Sequence, residues 1–353
     1  MSTPRISVIG SGYVGLITGI LFSTKGFETV CIDVIQETID KINQGISPFY
    51  EPGLDELLEE SLSSRRFFAS MDRLNEIGDS DISFICVGTP SQLDGSADLS
   101  YIKSAARDIG LAIKDSKKYH VIVAKSTIPP GTTEDIILPI IEEVSLKKAG
   151  IDFGLCMNPE FLQQGSAVKD AFNPDRVVIG EYDKKSGDIL EQLYSGFDCP
   201  KLRCDIKAAE LIKYAANSLL ATKISFSNEF ARITEKFNVD VYEVMRGIGF
   251  DYRINPRFLN AGCGFGGSCF PKDVKAMISI AKEVGVETPI LNSVIETNEL
   301  QPLHLVKIIR DTVGDLRGKT VGFLGLSFKP NTDDVRETRA LPILPQLIRE
   351  GAR

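Results

Sequence analysis

The chain has 353 residues, of which 43% are hydrophobic and 25% are charged, and its formal net charge is −8. This length predicts two or three domains, and the composition is typical of a globular protein. The acidic balance disfavours a broad nucleic-acid surface, and no apolar run approaches the ~18–20 residues needed to span a membrane.

The rare side chains limit the possible chemistry. Seven cysteines are scattered without a C-x-x-C pair, which favours reduced thiols. His120 and His304 are the two histidines, so we expect no histidine-based metal site or triad. Because a buried-strand pattern and a glycine-rich motif begin within the first ten residues, we expect no signal peptide and a cytoplasmic protein.

Strand and helix patterns alternate through the first 204 residues. Buried strands are predicted at residues 5–10, 28–33, 82–87, 120–124, 153–157 and 176–180. A helix is predicted from residue 12 to Gly26, a plausible C-terminal stop. This alternation predicts an α/β fold in which residues 1–204 form a Rossmann-like, doubly wound parallel sheet.

The first strand is followed by Gly10-Ser11-Gly12-Tyr13-Val14-Gly15, a G-x-G-x-x-G motif that opens a helix. Its glycines allow a tight turn and close approach to a pyrophosphate at the helix N-terminus. Asp33 ends the next strand, where a carboxylate can accept ribose hydroxyls and repel a 2′-phosphate. The motif therefore predicts NAD rather than NADP, against the alternative of a glycine-rich turn without a ligand.

The alternation of strand and helix patterns ends after Cys204. Residues 205–237 predict one long helix without glycine or proline, which suggests a connector and a dimer surface within a helical domain at 205–314. A glycine-rich loop follows at 247–270, then helices from Pro271 and over 291–313. Residues 319–325 predict a strand and 339–350 a helix. We expect 315–353 to begin a second, incomplete Rossmann-like domain.

Two side chains on the long helix could act together. Lys213 and Asn217 lie four residues apart and share a helix face, where an ammonium and an amide can hold an oxyanion. The alternative is a solvated face on which Glu210 pairs with Lys213.

The stretch from Gly262 to Asp273, GCGFGGSCFPKD, is the most informative. Cys269 precedes a helix start and has Lys272 nearby, and both features favour a thiolate. Asp273 follows one turn later, which completes a possible nucleophile and base. The alternative is a buried structural cysteine, the role that we expect for Cys263.

Two further motifs follow predicted strands. Glu160 in NPEFL could orient a water, or it could be a solvated turn residue. Lys329 and Arg336 in FKPNTDDVRE could meet phosphate, or they could be a solvated basic pair.

These motifs occur in an order typical of a known family. The segments are GSGYVG (10–15), SPFYEPGL (47–54), CVGTP (86–90), DGSADLSY (94–101), KSTIPPGT (125–132), NPEFL (158–162), KYAAN (213–217), GFGGSCFPKD (264–273) and FKPNTDDVRE (328–337). Over essentially its whole length the chain resembles the UDP-glucose/GDP-mannose dehydrogenase family. This resemblance implies two NAD-dependent oxidations at C6 of a nucleotide sugar, through a thiohemiacetal and a thioester on Cys269. It also implies a homodimer or a higher homo-oligomer.

The resemblance assigns roles to individual residues. Lys213 would stabilise oxyanions beside Asn217, Glu160 and Asp273 would handle protons and water, and Arg253 would reach a neighbouring subunit's site. The implied catalytic residues are Cys269, Lys213, Asp273, Glu160, Asn217 and Thr127. The implied cofactor contacts are Gly10, Gly12, Tyr13, Val14, Gly15, Asp33, Thr89, Thr127, Gln164, Lys272 and Arg336. The implied substrate contacts are Glu160, Phe161, Leu162, Lys213, Asn217, Arg253, Phe258, Gly266 and Lys329.

The chain departs from the family pattern at two places. Relatives often read FLRE where this chain has Leu162-Gln163-Gln164, so a carboxylate role at Gln164 is impossible. Relatives also continue for several more strands, so we expect most of the uridine-binding domain to be missing.

Three functions compete at this point. A two-electron hydroxyacid dehydrogenase of the 6-phosphogluconate type would share the first motif but needs no cysteine, so Cys269 disfavours it. A catalytically incompetent NAD-binding fragment is the non-enzyme alternative. For a nucleotide-sugar dehydrogenase, DGSADLSY and FPKD favour UDP-glucose over GDP-mannose or a UDP-N-acetylhexosamine.

Overall fold

The computed structural model describes residues 3–92 and 94–353, which divide into two compact units. The first contains the chain up to Gln92 together with Ala97–Lys213. The second contains a short segment ending at Ser96 together with Tyr214–Arg353. The three-domain division at residues 204 and 314 stays a prediction.

The first unit is built on an eight-stranded sheet in the order β3-β2-β1-β4-β5-β6-β7-β8. Its strands are β1 (Ile6–Ile9), β2 (Thr29–Ile32), β3 (Phe67–Ser70), β4 (Ile82–Ile85), β5 (His120–Ala124), β6 (Phe153–Met157), β7 (Val177–Glu181) and β8 (Lys201–Cys204). Its helices are α1 (Tyr13–Thr24), α2 (Gln36–Asn43), α3 (Leu54–Ser63), α4 (Arg73–Asp79), α5 (Ser100–Ile113), α6 (Leu138–Ser145), α7 (Ala167–Phe172) and α8 (Lys184–Leu193), with a π-helix at Thr132–Ile137. The predicted α/β fold is confirmed.

The predicted parallel sheet is mostly parallel, with one reversal of strand direction. Six strands from β3 to β6 pair in parallel, whereas β7 is antiparallel to β6, with Met157 opposite Gly180. Asn158 follows β6, and its Nδ2 donates to the carbonyl of Val178 at 2.7 Å, which ties the start of β7 to the end of β6. The amino end of β7 therefore lies at the same edge as the carboxyl end of β6.

Two strands carry no clear sequence signal. β3 and β8 are four residues long and only partly buried, so neither shows the continuous apolar run that marks the central strands. Both lie at the outer edges of the sheet.

The two faces of the sheet carry separate cores. Ile6 and Val8 of β1 point into one cluster and Ile9 into the other, as alternation along a strand requires. Helix α1 covers the first face and ends as predicted at Gly26, whose φ is +97°. The amide of Phe27 donates to the carbonyl of Phe22 at 3.0 Å, which closes the helix end.

Three buried polar side chains form a chain through the sheet. Ser7 Oγ lies 2.6 Å from Ser83 Oγ, which lies 2.8 Å from His120 Nε2. Burial lowers the pKa of His120 to about 4. The ring is therefore neutral at neutral pH and can accept a hydrogen bond from Ser83.

The second unit is helical. It contains most of the long helix α9 (Ile206–Phe237), followed by α10 (Val241–Gly249), α11 (Phe270–Glu283), α12 (Pro289–Val313) and α13 (Ala340–Arg349). α9, α12 and α13 agree with the predicted segments within about two residues, and α11 begins one residue before the predicted Pro271. α10 was not predicted, and its end from Gly247 lies in the expected glycine-rich loop. No helix in the described part of the chain is long and apolar enough to cross a membrane.

The predicted strand at residues 319–325 is wrong. The segment has no strand neighbour, and its ladder-like contacts are two 2.8 Å hydrogen bonds with Arg353, one from Val321 and one to Lys319. An apolar run needs a partner strand to form a ladder, which a local sequence pattern cannot guarantee. α13 does form, and it packs Ile343 and Leu347 beside Val306 and Leu316.

Candidate active site

The turn between β1 and α1 shows why each glycine of the first motif is needed. A Cβ on Gly15 would lie 1.7 Å from the carbonyl oxygen of Gly10, and one on Gly10 would lie 2.9 Å from the carbonyl oxygen of Cys86. A Cβ on Gly12 would meet no atom within 4 Å. Gly10 and Gly15 thus close the turn, while Gly12 leaves open the uncapped start of α1.

This turn lies at the point where the sheet order reverses, between β1 and β4, which is where α/β sheets bind ligands. α1 has no side-chain cap and no acidic residue in its first turn, so its amides and dipole suit a phosphate. The carboxylate of Asp33 accepts the amide of Ser11 at 2.8 Å and that of Val34 at 2.8 Å. These residues fit an NAD whose pyrophosphate meets α1 and whose ribose meets Asp33.

Loops after β4 and β5 lie beside this turn. Thr89 Oγ1 donates to the carbonyl of Thr127 at 2.8 Å, which joins two of the predicted contacts. Tyr13 stacks against Phe49 with ring centroids 4.7 Å apart, and its hydroxyl accepts the amide of Gly165 at 3.1 Å.

The carboxyl end of β6 carries a buried ion pair. Lys213 Nζ lies 2.8 Å from Glu160 Oε1, and both side chains are less than 10% exposed. Burial alone would raise the pKa of Glu160, but Lys213 and the amide of Leu162 outweigh it, so the pKa is lowered. The solvated-turn alternative for Glu160 is therefore wrong.

The pairing expected for Lys213 on a solvated face is also wrong. Glu210 is fully buried and accepts the amides of Gly131 and Thr133, the latter at 2.9 Å. It thereby holds the start of the π-helix that follows the Thr127 loop. Lys213, about one helical turn after Glu210, pairs instead with Glu160.

Lys125 is a site residue that sequence reasoning missed. It lies directly after β5, is 8% exposed, and its Nζ donates to Asn158 Oδ1 at 2.8 Å. Burial lowers the pKa of Lys125. The available signal was its position, since a lysine at the carboxyl end of a buried strand faces the edge where α/β sites gather.

Phe161 and the residues after it line this edge. The guanidinium of Arg176, at the amino end of β7, stacks 3.7 Å from the centroid of the Phe161 ring. Leu162 and Gln164 are partly buried in the connection that leads to α7. Glu51 anchors that connection by accepting the amides of Gly165 and Ala167, each at 2.7 Å.

In the second unit, Asp273 is the centre of a second cluster. It is 1% exposed, and its carboxylate accepts Asn217 Nδ2 at 2.6 Å and Lys272 Nζ at 2.6 Å. The structure thus brings three predicted site residues together, with the amide of Asn217 and the ammonium of Lys272 donating to the buried carboxylate of Asp273.

Cys269 is exposed and immediately precedes α11, whose N-terminus has no side-chain cap. Ser268 Oγ lies 3.7 Å from its Sγ. The buried-cysteine alternative is wrong for Cys269. By contrast, burial raises the pKa of Cys263, which packs beside Val306 and Leu316 as an inert thiol would.

Buried amides fix the first half of the glycine loop. Asn298 on α12 accepts the amide of Phe265 at 2.7 Å and donates to its carbonyl at 3.0 Å. Gly262 is held in the same way by Asn228 and Gln301. The signal in the sequence was the pair Asn298 and Gln301, two amides on the otherwise apolar buried face of α12. The prediction of a glycine-rich loop did not consider these partners.

The second half of the loop packs against the segment after residue 327. A Cβ on Gly266 would lie 2.4 Å from the carbonyl oxygen of Glu337, and one on Gly267 would lie 2.8 Å from the ring of Phe328. The amide of Gly267 donates to the carbonyl of Arg336 at 3.0 Å. Both positions therefore require glycine because of contacts within the protein, in addition to any close approach of a ligand.

Other predicted contacts also lie in the second unit. Arg253 is exposed and forms a 2.6 Å ion pair with Asp251, and Arg336 pairs likewise with Asp334 at 2.7 Å. Phe258 has a φ of +67°, an uncommon value for a bulky side chain. Lys329 is partly buried.

Three sequence profiles match the chain. They are described as the NAD binding domain, the central domain and the UDP binding domain of the UDP-glucose/GDP-mannose dehydrogenase family, and they cover residues 4–198, 207–300 and 322–353.

Characterised relatives match over nearly the whole chain. A UDP-glucose 6-dehydrogenase of Bacillus subtilis (strain 168) is 45% identical over 99% of this chain and 74% of its own length. A GDP-mannose 6-dehydrogenase of Pseudomonas syringae pv. syringae is 43% identical, over 98% and 79%. The solved UDP-glucose dehydrogenase of Pyrobaculum islandicum superposes with a TM-score of 0.95 at 42% identity, covering 99% of this chain and 81% of that one.

Proposed function

The chain belongs to the UDP-glucose/GDP-mannose dehydrogenase family, and we propose that it oxidises C6 of UDP-glucose to a carboxylate, giving UDP-glucuronate. It is an NAD-dependent oxidoreductase that converts a nucleotide sugar to its uronic acid. The observation that carries the four-electron reaction is an exposed Cys269 at the start of α11, one turn from the buried Asp273. A simple alcohol dehydrogenase needs no such thiol.

Cys269 is the proposed nucleophile. After the first oxidation, its thiolate attacks the C6 aldehyde and forms a C–S bond, and the carbonyl oxygen becomes an alkoxide that takes up a proton as the thiohemiacetal. The second oxidation gives a thioester, which water cleaves to release the carboxylate and restore the thiol. Bound NAD would accept the hydride in each oxidation.

The remaining roles follow from charge. Lys213 is proposed to stabilise the oxygen that becomes anionic, because a buried ammonium loses little of its field to solvent. Glu160, whose pKa is lowered, is available as the base that orients and deprotonates the attacking water. Asp273 and Asn217 would hold the substrate hydroxyl, and Thr127, Gln164, Lys272 and Arg336 would serve the cofactor.

GDP-mannose is the second candidate substrate. The GDP-mannose relative is 43% identical to this chain, close to the 45% of the UDP-glucose relative. The nucleotide therefore has to be settled by experiment.

NADH yield provides that test. The protein is incubated with NAD and limiting UDP-glucose, GDP-mannose or a UDP-N-acetylhexosamine, and NADH is counted per sugar consumed. We expect two NADH per UDP-glucose and less turnover with the others. One NADH per sugar, or none with any sugar, would contradict the four-electron proposal.

A homodimer is the proposed assembly. Leu219, Phe226 and Ile233 are exposed on α9 at intervals of seven residues, so they share one face. An apolar stripe of this kind marks a protein interface, and a second copy of the same helix would match it. Phe226→Asp should convert the dimer to monomer in sedimentation analysis.

A further inference from the structure

Lys125 is buried without a carboxylate partner. Its Nζ has two neutral neighbours, Asn158 Oδ1 at 2.8 Å and the hydroxyl of Tyr194 at 3.5 Å. Tyr194 also donates to Asn158 Oδ1 at 2.7 Å, and Asn158 Nδ2 is engaged by Val178. The amide is thus fixed with its oxygen toward the lysine. Within residues 3–92 and 94–353, Lys125 makes no ion pair.

The other titratable groups around Lys125 leave one source of negative charge. Burial raises the pKa of the Cys86 thiol to about 12 and also raises the pKa of Tyr194, so both groups are neutral. Glu160 interacts electrostatically with Lys125 and repulsion comes from Lys213. Glu160 is therefore the carboxylate that interacts with both buried lysines.

The shared carboxylate lies two residues from Asn158, so the hydrogen bond of Lys125 and the ion pair of Lys213 hold the two ends of one short turn. We propose that Lys125 is a positioning residue whose buried positive charge fixes this turn and keeps Glu160 ionised at the carboxyl edge of the sheet. The catalytic consequence of this proposal rests on the proposed function, in which Glu160 is the base.

Two substitutions test the charge. Lys125→Met removes it with little change in length, and Asn158→Asp neutralises it with an isosteric side chain 2.8 Å from Nζ. Because an opposite charge nearby favours ionisation, we expect each variant to raise the pKa of Glu160 by about one unit. Lys185→Met is the matched control, since that lysine is exposed on α8 and lies over the ring of Tyr119.

The carboxyl signal of Glu160 is followed by infrared difference titration, with Glu160→Gln identifying the band. This measurement does not depend on turnover, so it holds even if UDP-glucose is not the substrate. In turnover, the acid limb of kcat/KM that Glu160 causes lies below pH 4.5, since its pKa is lowered, and it should move upward in both variants and not in the control.

The outcomes separate the possibilities. A matching upward shift in both variants supports the proposal. An unchanged titration in both, or a shift in Lys125→Met alone, would mean that the charge is not what matters and would overturn it. If Lys125→Met does not fold, Lys125→Gln decides by the same criterion, because the new carboxylate in Asn158→Asp would by itself raise the pKa of Glu160. A shift in the titration without any NADH from UDP-glucose would contradict the proposed function and leave this inference standing.

Discussion

At the scale of single residues, the sequence predicted candidate site residues but not the partners of their side chains. Lys213 and Asn217 are neighbours on one helix face, yet one pairs with Glu160 and the other with Asp273. The partners of Glu210 and Lys125 were missed because they come from loops distant in sequence. A spacing pattern reports which residues share a face, and long-range contacts then decide what each residue does.

Cys269 provides the sharpest test at this scale. Cys269→Ser replaces a thiolate with a hydroxyl of far higher pKa, so uronate formation should fall by at least about a thousandfold while the protein stays folded. Cys263→Ser is the control, because that thiol is half-buried away from α11 and its replacement should leave turnover within about twofold. NADH release and uronate are measured for both. Normal uronate production by Cys269→Ser would refute the covalent mechanism.

His120 predicts a pH-dependent stability. Its pKa is lowered by burial to about 4, whereas in the unfolded chain it is 6.5, so protons bind the unfolded chain more readily between these values. Stability is fully present above pH 6.5 and is lost as the pH falls toward 4. Between pH 7 and 5 the free energy of unfolding should decrease by about 2 kcal/mol from this residue. His120→Gln should lack that component in urea titrations, and equal pH dependence in both proteins would contradict it.

At the scale of elements, predictions were best where local signals were strong. The central strands are fully buried, and the helices begin or end at recognisable residues such as Gly26 and Pro271. The edge strands β3 and β8 lack such a pattern, and residues 319–325 have the pattern without a partner strand. Burial of a strand depends on its neighbours, which a short window of sequence does not contain.

The β1–α1 turn gives a matched pair of predictions. Gly15→Ala should destabilise the first unit by at least about 3 kcal/mol, because the added methyl would overlap the carbonyl oxygen of Gly10. Gly12→Ala has open space and a φ of −74°, so stability without NAD should stay within about 0.5 kcal/mol.

Affinity for NAD distinguishes the packing role of Gly15 from the proposed cofactor-binding role of Gly12. Gly12→Ala should weaken NAD binding at least about tenfold, since its methyl would stand where a pyrophosphate approaches. Urea unfolding and calorimetry make the comparison. Unchanged NAD affinity in Gly12→Ala would show that the turn does not hold the cofactor.

At the scale of the whole molecule, the resemblance carried information that neither pattern nor geometry contains. Arg253 is paired with Asp251 on the surface of its own chain, and nothing in one chain assigns it to a site. The exposed stripe on α9 is visible in one chain, but the second copy proposed to cover it is not. Contacts between subunits are therefore the feature that is hardest to predict from one sequence.

Mixed dimers test that level. Arg253→Ala and Cys269→Ser should each be inactive alone, if each site uses its own Cys269 and the partner subunit's Arg253. After subunit exchange, half of the dimers are mixed and one site in each is intact, so about a quarter of the wild-type activity should return. No recovery, despite exchange shown by native mass spectrometry, would count against a site shared across the dimer.

The reversed direction of β7 decides where this chain can tolerate insertions. Every parallel crossover in the sheet leaves one edge and returns to the other, so a longer loop can be accommodated at the edge remote from the site. The connection from Phe161 to Arg176 instead starts and finishes at the catalytic edge. Extra residues in this connection would have to lie at the same edge of the sheet as Glu160. A duplication or tag inserted in this segment should therefore alter substrate range before it alters folding, and this makes the segment the natural place to graft a new specificity.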